Sequence, residues 1–173
     1  MNGYTVHDAA TRDAARLAEF GARTFFESFA ADNSPEDMRV HLESAWSPSK
    51  QLAELKDPDI DTLIVKDDAG QWLAFAQLRA GKVSQGVPTA DSIELWRFYV
   101  DKRWHGQGVA ASLMAAAKQR ARHRGATTMW LGVWERNDRA KAFYTKHGFV
   151  KVGSQVFVVG SDPQTDQVML CRL

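Results

Sequence analysis

Apolar residues recur along the chain with two spacings, one of about three to four residues and one of about two, which are typical of helices and strands respectively. The helix-like spacing predicts helices over residues 10–29 and 106–122. Two shorter helices are predicted to begin at Pro35 and Pro48, because proline is favoured in the first turn of a helix. A fifth is predicted over residues 137–148, which start with a capping residue type and end with glycine.

Strands are predicted between these helices, where apolar and β-branched residues alternate or run together. These segments are residues 4–6, 62–65, 72–78, 93–100, 129–134, 149–159 and 167–173. The segment 67–70, Asp-Asp-Ala-Gly, has turn chemistry and joins two of the strands into a hairpin. The sequence therefore predicts one mixed α/β domain over residues 1–173, with a central sheet.

Composition narrows the possible functions. The chain has 173 residues, of which 45% are hydrophobic and 25% are charged, and its formal net charge is +1. This balance is typical of a globular domain and argues against a strongly basic nucleic-acid surface, so no nucleic-acid partner is expected. The basic segment 118–124 is interpreted as a solvated helix end, where cations complement the helix dipole. The one cysteine, Cys171, lies in an apolar run, which favours packing over a catalytic thiol.

Membrane and export signals are not evident in the sequence. No segment approaches the ~20 consecutive apolar residues that a membrane helix requires. The first residues lack the apolar core of a signal peptide. We therefore expect a cytoplasmic protein with no membrane partner, and no metal site is predicted.

Residues 98–110 carry the most informative chemistry. A strand runs into a turn that contains Gly106 and Gly108, and the turn opens directly into a helix. The first amides of a helix have no partner within it, and glycine lets a phosphate approach the backbone closely. Arg103 adds a cation beside the same turn. The segment therefore predicts a turn that binds a pyrophosphate.

Two alternatives remain for this turn. Residues 106–111 also fit the dinucleotide-binding pattern Gly-x-Gly-x-x-Ala, with Glu135 placed where a ribose-binding acid would stand. Against this, residues 101–105 separate the strand from the first glycine, and too little chain follows Glu135 to build the second half of such a fold. The other alternative is a tight turn that binds nothing.

Two motifs together form a specific signal. The first is Arg103-x-x-Gly106-x-Gly108, and the second is the segment 137–149, which reads Asn-x-x-Ala-x-x-x-Tyr-x-x-x-Gly-Phe. In this order they resemble the two hallmarks of the GNAT superfamily of acyl-CoA-dependent N-acetyltransferases. The resemblance implies an acyl-CoA N-acyltransferase fold, with a central, mostly antiparallel sheet flanked by helices, and acetyl-CoA (coenzyme A) as the cofactor.

Within this superfamily, residues 24–29 with Asn33, residues 35–38 and residues 131–135 look similar to the PaiA-like spermidine/spermine acetyltransferases. Trp96 departs from that group, in which a glutamate is expected at this position. The resemblance implies a small-molecule amine, such as a polyamine, as the acceptor.

The resemblance also implies how the cofactor is bound. Backbone groups at the end of the strand 93–100 would pair with the pantetheine arm, and an amide near Phe98 would face the thioester oxygen. Amides of the following turn would hold the pyrophosphate. The implied contacts are Phe98, Tyr99, Val100, Arg103, Trp104, His105, Gly106, Gln107, Gly108, Val109, Ala110 and Asn137. Asn137 can contact the cofactor and also cap its own helix.

Glu94 matches the position that supplies the general base in several members of the superfamily, directly or through water. An amine arrives as an ammonium with a pKa near 10, so a base has to take its proton before it attacks. Strand alternation predicts that Glu94, Trp96 and Phe98 share one face. The alternative is a glutamate that pairs with a nearby arginine.

Tyr144 stands at the general-acid position of the superfamily, where it would assist departure of the thiol by hydrogen bonding. The alternative is an aromatic residue that packs beside Phe143. For the acceptor, Glu27 and Phe29 are candidate contacts, since an acid attracts a cationic amine and an aromatic ring lines a channel. The alternative for Glu27 is a solvated surface carboxylate, and the alternative for Phe29 is a ring that packs in the core.

The resulting prediction is an N-acetyltransferase that passes acetyl from acetyl-CoA to a primary amine of a small molecule by direct attack on the thioester. The alternatives are a protein or peptide N-acetyltransferase and a non-catalytic acyl-CoA-binding regulatory domain. We expect a monomer or homodimer.

Overall fold

The computed structural model describes residues Gly3–Leu173, which form a seven-stranded sheet and five α-helices. The strands are β1 (Tyr4–Asp8), β2 (Ile60–Asp67), β3 (Trp72–Arg79), β4 (Ser92–Val100), β5 (Thr128–Trp134), β6 (Val150–Val159) and β7 (Asp162–Arg172). The helices are α1 (Ala14–Phe29), α2 (Pro35–Ala45), α3 (Pro48–Lys56), α4 (Val109–His123) and α5 (Asp138–Lys146). The strand order is β1-β2-β3-β4-β5-β7-β6, and every neighbouring pair is antiparallel except β4–β5. The predicted fold class, a mostly antiparallel sheet flanked by helices, is confirmed.

The two faces of the sheet carry separate apolar clusters. Neighbouring residues of β2 show this: Leu63 and Val65 pack with α4, whereas Ile64 packs with α1. Helices α1, α2 and α3 therefore cover one face, and α4 and α5 cover the other. Buried Cys171 belongs to the α4 face, in agreement with its predicted packing role.

Helix α1 and the α2–α3 junction make a close contact. The indole of Trp46, which lies between α2 and α3, packs directly on the backbone of Gly21 in α1. The same ring stands 4.4 Å from the guanidinium of Arg97 and 6.0 Å from the ring of Tyr99, both on β4. This contact fixes the helices of one face against the middle of the sheet.

Strands β4 and β5 separate soon after they begin. Their parallel pairing joins residues 92–94 to residues 128–130. Beyond Glu94 and Trp130, no pairing between these strands exists within residues 3–173. The rest of β4 and β5 therefore forms a wedge-shaped opening in the middle of the sheet.

Strand β4 contains a bulge, which overturns the predicted alternation. Gln77 pairs with Arg97 and Leu78 pairs with Leu95, so Trp96 is an extra residue in β4. Phe98 consequently packs on the α4 face, whereas Glu94 shares its face with Arg97. The prediction that Glu94, Trp96 and Phe98 share one face is wrong, because simple alternation does not anticipate the inserted residue.

The β6–β7 hairpin is longer than predicted. Strand β7 begins at Asp162, five residues before the predicted start at residue 167, and a short turn with Gly160 at φ 59° joins it to β6. Its polar first half is held as a strand because it pairs with β6 over residues 162–170 and with β5 from Asp166 onward. These tertiary contacts override a local sequence with proline and polar residues, which is typical of a loop.

Candidate active site

A cavity of about 290 Å³ occupies the opening between β4 and β5. Residues 94–100 of β4 and residues 132–134 of β5 form its two sides. Helix α1 contributes Phe25, Ser28 and Phe29, and the β6–β7 hairpin contributes a further wall. The cavity therefore collects side chains from both halves of the sequence.

The N-terminus of α4 lies at the end of the loop that follows β4. Gly108 has a φ of 84°, and no side chain caps the helix. Within residues 3–173, the backbone amides of Gly106, Gly108, Val109, Ala110 and Ala111 donate no hydrogen bond. Such amides, together with the positive end of the helix dipole, bind anions such as phosphates.

The predicted turn also contains amides that are already used. The amide of Arg103 donates to Oδ1 of Asp101 at 3.0 Å, and those of Trp104, His105 and Gln107 donate to backbone carbonyls of the same loop. These four amides are therefore less suited to hold a phosphate than those of Gly106 and of residues 108–111.

Asp101 organises the start of this loop. It is fully buried and accepts hydrogen bonds from Nε and Nη2 of Arg103 and from Nη2 of Arg23. Hydrogen bonds from Arg103, followed by those from Arg23, hold the pKa of the Asp101 carboxyl well below its usual range. Arg103, expected as a cation for the pyrophosphate, is thus bound to Asp101 while its side chain stays exposed.

The edge of β4 that faces the opening carries free backbone groups. The amide of Asp101 donates to the carbonyl of Leu73 on β3, so alternation directs the amides of Val100 and Phe98 away from β3. His105 contacts this edge: its Nε2 lies 3.0 Å from the carbonyl of Val100. Both Phe98 and Val100 therefore present backbone groups where the resemblance placed the pantetheine arm.

His105 also connects the two sides of the opening. Arg139 on α5 donates from Nη1 to Nδ1 of His105 at 2.6 Å, so Nε2 carries the ring proton and donates to Val100. Asn137 accepts a hydrogen bond from the amide of Ala140 and caps α5, as predicted, and it also lines the cavity.

Glu94 lies in the cavity wall but is not free. It is 5% exposed, and its Oε2 accepts a hydrogen bond from Nε of Arg79 at 2.8 Å and forms an ion pair with Nη2 of the same side chain at 2.7 Å. Burial raises the pKa of the Glu94 carboxyl, and Arg79 opposes that shift. The structure thus shows the ion pair that was the alternative to catalysis.

The other arginine of the cavity, Arg97, is also paired. It is 8% exposed, and its Nη1 donates to Oε2 of Glu54 and, at 2.7 Å, to Oε1 of Gln77. The bulged Trp96 lies between the two guanidiniums, 4.0 Å from that of Arg79 and 3.8 Å from that of Arg97. This stack holds both arginines in place.

Tyr144 is buried in α5 and lines the cavity. Its ring contacts those of Phe98, at 6.3 Å, and Phe143, at 5.5 Å. Burial raises the pKa of its phenol, so the hydroxyl keeps its proton. Within residues 3–173 this hydroxyl has no hydrogen-bond partner, which leaves it available to a bound molecule.

The two candidate acceptor contacts differ in position. Phe29 lines the cavity and packs edge-on against Trp134 at 6.2 Å. Glu27 does not line it: the side chain is on the exposed side of α1 and pairs with Arg23 at 3.3 Å. Helical spacing alone does not distinguish these two directions.

Sequence reasoning missed Asp166, which the extended β7 brings into the cavity. Asp166 is 8% exposed, and within residues 3–173 its carboxylate has neither a hydrogen bond nor an ion pair. Burial raises its pKa to about 6. The one signal in the sequence was Gly132, since a glycine inside an apolar strand often marks a close approach, here of Asp166 and Gln155.

In the described part of the chain, none of the helices is both long and apolar enough to cross a membrane.

Comparison with known proteins shows which family the chain resembles. The sequence profile of the Acetyltransferase (GNAT) family matches residues 22–149. A protein of Lactobacillus delbrueckii subsp. lactis, named an uncharacterized N-acetyltransferase, is 30% identical over 166 residues, which are 96% of this chain and 95% of that protein. An uncharacterized N-acetyltransferase of Mycobacterium tuberculosis is 32% identical over 161 residues, which are 93% of this chain and 98% of that protein.

Among solved structures, the PaiA N-acetyltransferase of Thermoplasma acidophilum in complex with coenzyme A is similar in fold, with a TM-score of 0.80. It is 20% identical, and the match covers 98% of this chain and 99% of that one. The shared profile, the two relatives at full length and the fold agree with one another. The chain therefore belongs to the GNAT family of acetyltransferases.

Proposed function

We propose that the protein transfers acetyl from acetyl-CoA to a primary amine of a small molecule, with polyamines as the first acceptor class. The observation that carries the proposal is the cavity in the opening between β4 and β5, with the free amides at the N-terminus of α4 in the segment that follows β4. Acetyl-CoA supplies the activated acyl group as a thioester. The chain supplies binding, orientation and proton transfer.

The residues of this chain fit acetyl-CoA. The amides of Gly106 and of residues 108–111 suit the pyrophosphate, because they are unpaired and the backbone at Gly106 is open, with no atom within 4 Å of the place that a Cβ would take. Phe98 and Val100 offer backbone groups to the amides of the pantetheine arm. Asn137, the N-cap residue of α5, lines the same cavity.

Two groups are proposed to act at the thioester. The amide of Phe98, directed into the opening, stabilises negative charge on the carbonyl oxygen. The phenol of Tyr144, kept protonated by burial, donates a hydrogen bond to the departing sulfur.

The shape of the cavity favours a small acceptor. Glu94 lines a cavity whose walls include residues of α1 and of the β6–β7 hairpin. A protein substrate would instead require an open groove over β4. The rings of Phe29, Tyr99 and Trp134 line this space. Aromatic walls and an unpaired carboxylate suit an aliphatic ammonium, which supports the polyamine class.

A thiol-release assay with a panel of acceptors tests this proposal. Acetyl-CoA is supplied with spermidine, a lysine peptide or a permethylated polyamine of the same charge. We expect thiol release to depend on spermidine and to be near background with the permethylated analogue, whose tertiary amines have no hydrogen to lose after attack and therefore form no amide. Release that favours the peptide would indicate a protein acetyltransferase instead, and acetyl-CoA binding without release for any acceptor would indicate a regulatory domain.

A further inference from the structure

We propose that Asp166 is the residue that accepts the proton from the acceptor ammonium, an inference that rests on the proposed function. Asp166 lies on β7, directly opposite Trp134 of β5 and Gln155 of β6. It thus stands on the wall that faces β4 across the cavity.

The backbone around Asp166 is shaped to admit its carboxylate. A Cβ at position 132 would lie 3.1 Å from Oδ2 of Asp166 and 2.5 Å from Nε2 of Gln155. Gly132 therefore leaves the space that these two side chains occupy above β5. Ser84, in the loop before β4, donates to Oε1 of Gln155 at 2.9 Å and fixes the amide beside the carboxylate.

Asp166 differs from the other acidic and basic side chains that line the cavity, because each of the others forms an ion pair. Glu94 pairs with Arg79, and Arg97 pairs with Glu54. Within residues 3–173 Asp166 has no such partner, although it is more than nine-tenths buried. A cationic amine would supply the missing charge, so the same carboxylate serves to bind the ammonium and to take its proton.

Both cations on the cavity walls, Arg79 and Arg97, pair with other carboxylates and not with Asp166. The titratable side chains on the cavity walls are Arg79 of β3, Glu94, Arg97 and Tyr99 of β4, and Tyr144 of α5, while α1 contributes Phe25, Ser28 and Phe29. His41 of α2 lies outside the cavity and stacks on Phe25. Burial alone raises the pKa of Asp166 to about 6, which leaves it ionised at neutral pH and close to the range that suits a general base.

Glu94 is less suited to the same task. Proton transfer to its carboxylate would neutralise the partner of Arg79 and leave that half-buried guanidinium without its counter-charge. No such loss follows protonation of Asp166.

The proposed step balances as follows. Asp166 takes one proton from the ammonium, which frees the lone pair of the nitrogen. That lone pair forms the C–N bond while the C–S bond of the acyl thioester breaks. The sulfur leaves with the second proton of the amine, and the proton on Asp166 passes to solvent after the amide has left.

The test compares pH profiles of kcat/KM for spermidine in Asp166→Asn, Glu94→Gln and the wild type, with Asp68→Asn as a matched control on an exposed turn. In the wild type we expect an acidic limb with a midpoint near pH 6. Asp166→Asn should lose this limb, fall by ~10²–10⁴-fold at neutral pH, and recover as pH rises toward the pKa of the amine. Acetyl-CoA should raise the melting temperature of this variant as it does that of the wild type.

Gly132→Ala provides a second variant that keeps the carboxylate but displaces it. It should lower kcat/KM for spermidine while the melting-temperature shift with acetyl-CoA is retained. Wild-type profiles in Asp166→Asn, or loss of the acidic limb in Glu94→Gln alone, would overturn the assignment and leave the acetyltransferase proposal standing. A wild-type protein that turns over no amine would overturn both.

Discussion

Replacement of Gly21 by alanine tests the packing that places α1–α3 against β4. A Cβ at this position would lie 2.0 Å from Cζ3 and 2.2 Å from Cε3 of Trp46. Carbon atoms in contact stand ~3.5 Å apart or more, so the indole has to retreat by about 1.5 Å. The indole contacts Phe75, Tyr99 and Arg97, so it cannot move without displacing them. Because Tyr99 and Arg97 line the cavity, the movement also disturbs the cavity wall.

The expected cost follows from two opposing effects. Overpacking of a buried site costs about 3 kcal/mol at the upper end of its usual range. Alanine in place of glycine within a helix raises the free energy of unfolding by about 0.5–1 kcal/mol. The net loss is about 2 kcal/mol in the free energy of unfolding, which corresponds to a drop of about 4–8 °C in Tm for a domain of this size.

Urea unfolding followed by circular dichroism measures this change, and a double-mutant cycle isolates its cause. Trp46→Leu removes the benzene part of the indole. In that background Gly21→Ala should become stabilising by about 0.5–1 kcal/mol, because only the helix propensity remains. The same destabilisation in both backgrounds would refute the argument, since the loss would then not come from Trp46.

Three further predictions concern the site. Gly108→Val should abolish the rise in Tm with acetyl-CoA. Gly125, which has a similar φ of 80° but lies beyond the other end of α4, provides the control, and Gly125→Val should retain the rise. Loss of the rise in both variants would mean that backbone strain, and not phosphate binding, is responsible. Tyr144→Phe should lower kcat by ~10²-fold without a change in acetyl-CoA affinity, and an unchanged kcat would reduce this tyrosine to a packing role. Because the folded-state pKa of Asp101 lies below its unfolded value, its stabilisation is present above ~pH 4 and is lost as pH falls. The difference between the unfolding free energies of the wild type and Asp101→Asn, measured in urea at several pH values, should therefore shrink progressively as pH falls below ~4, and a constant difference would contradict the assignment.

The sequence was sufficient for the elements whose signals are local. Proline and serine at the starts of α2 and α3, and Asn137 and Gly148 at the two ends of α5, act through their own backbone neighbours. The strand, turn and helix around Gly108 were predictable for the same reason.

The site itself depends on features that no local pattern carries. The bulge at Trp96 arises from pairing with β3, and it changes which side chains accompany Glu94. Asp166 faces the cavity only because β5 and β6 hold a polar segment as a strand. The pairing of Glu94 with Arg79 joins residues of two neighbouring strands, and its register follows from that same bulge. Each of these is a tertiary contact that overrides local preference.

The most direct test of the central claim is the identity of the product. Acetyl-CoA with an isotopically labelled acetyl group is incubated with spermidine and the protein, and the amine is examined by mass spectrometry. We predict that spermidine gains one labelled acetyl with the wild-type protein and that the gain is strongly reduced with Gly108→Val. Labelled acetate without acetylated amine would show hydrolysis in place of transfer, and it would contradict the proposed function.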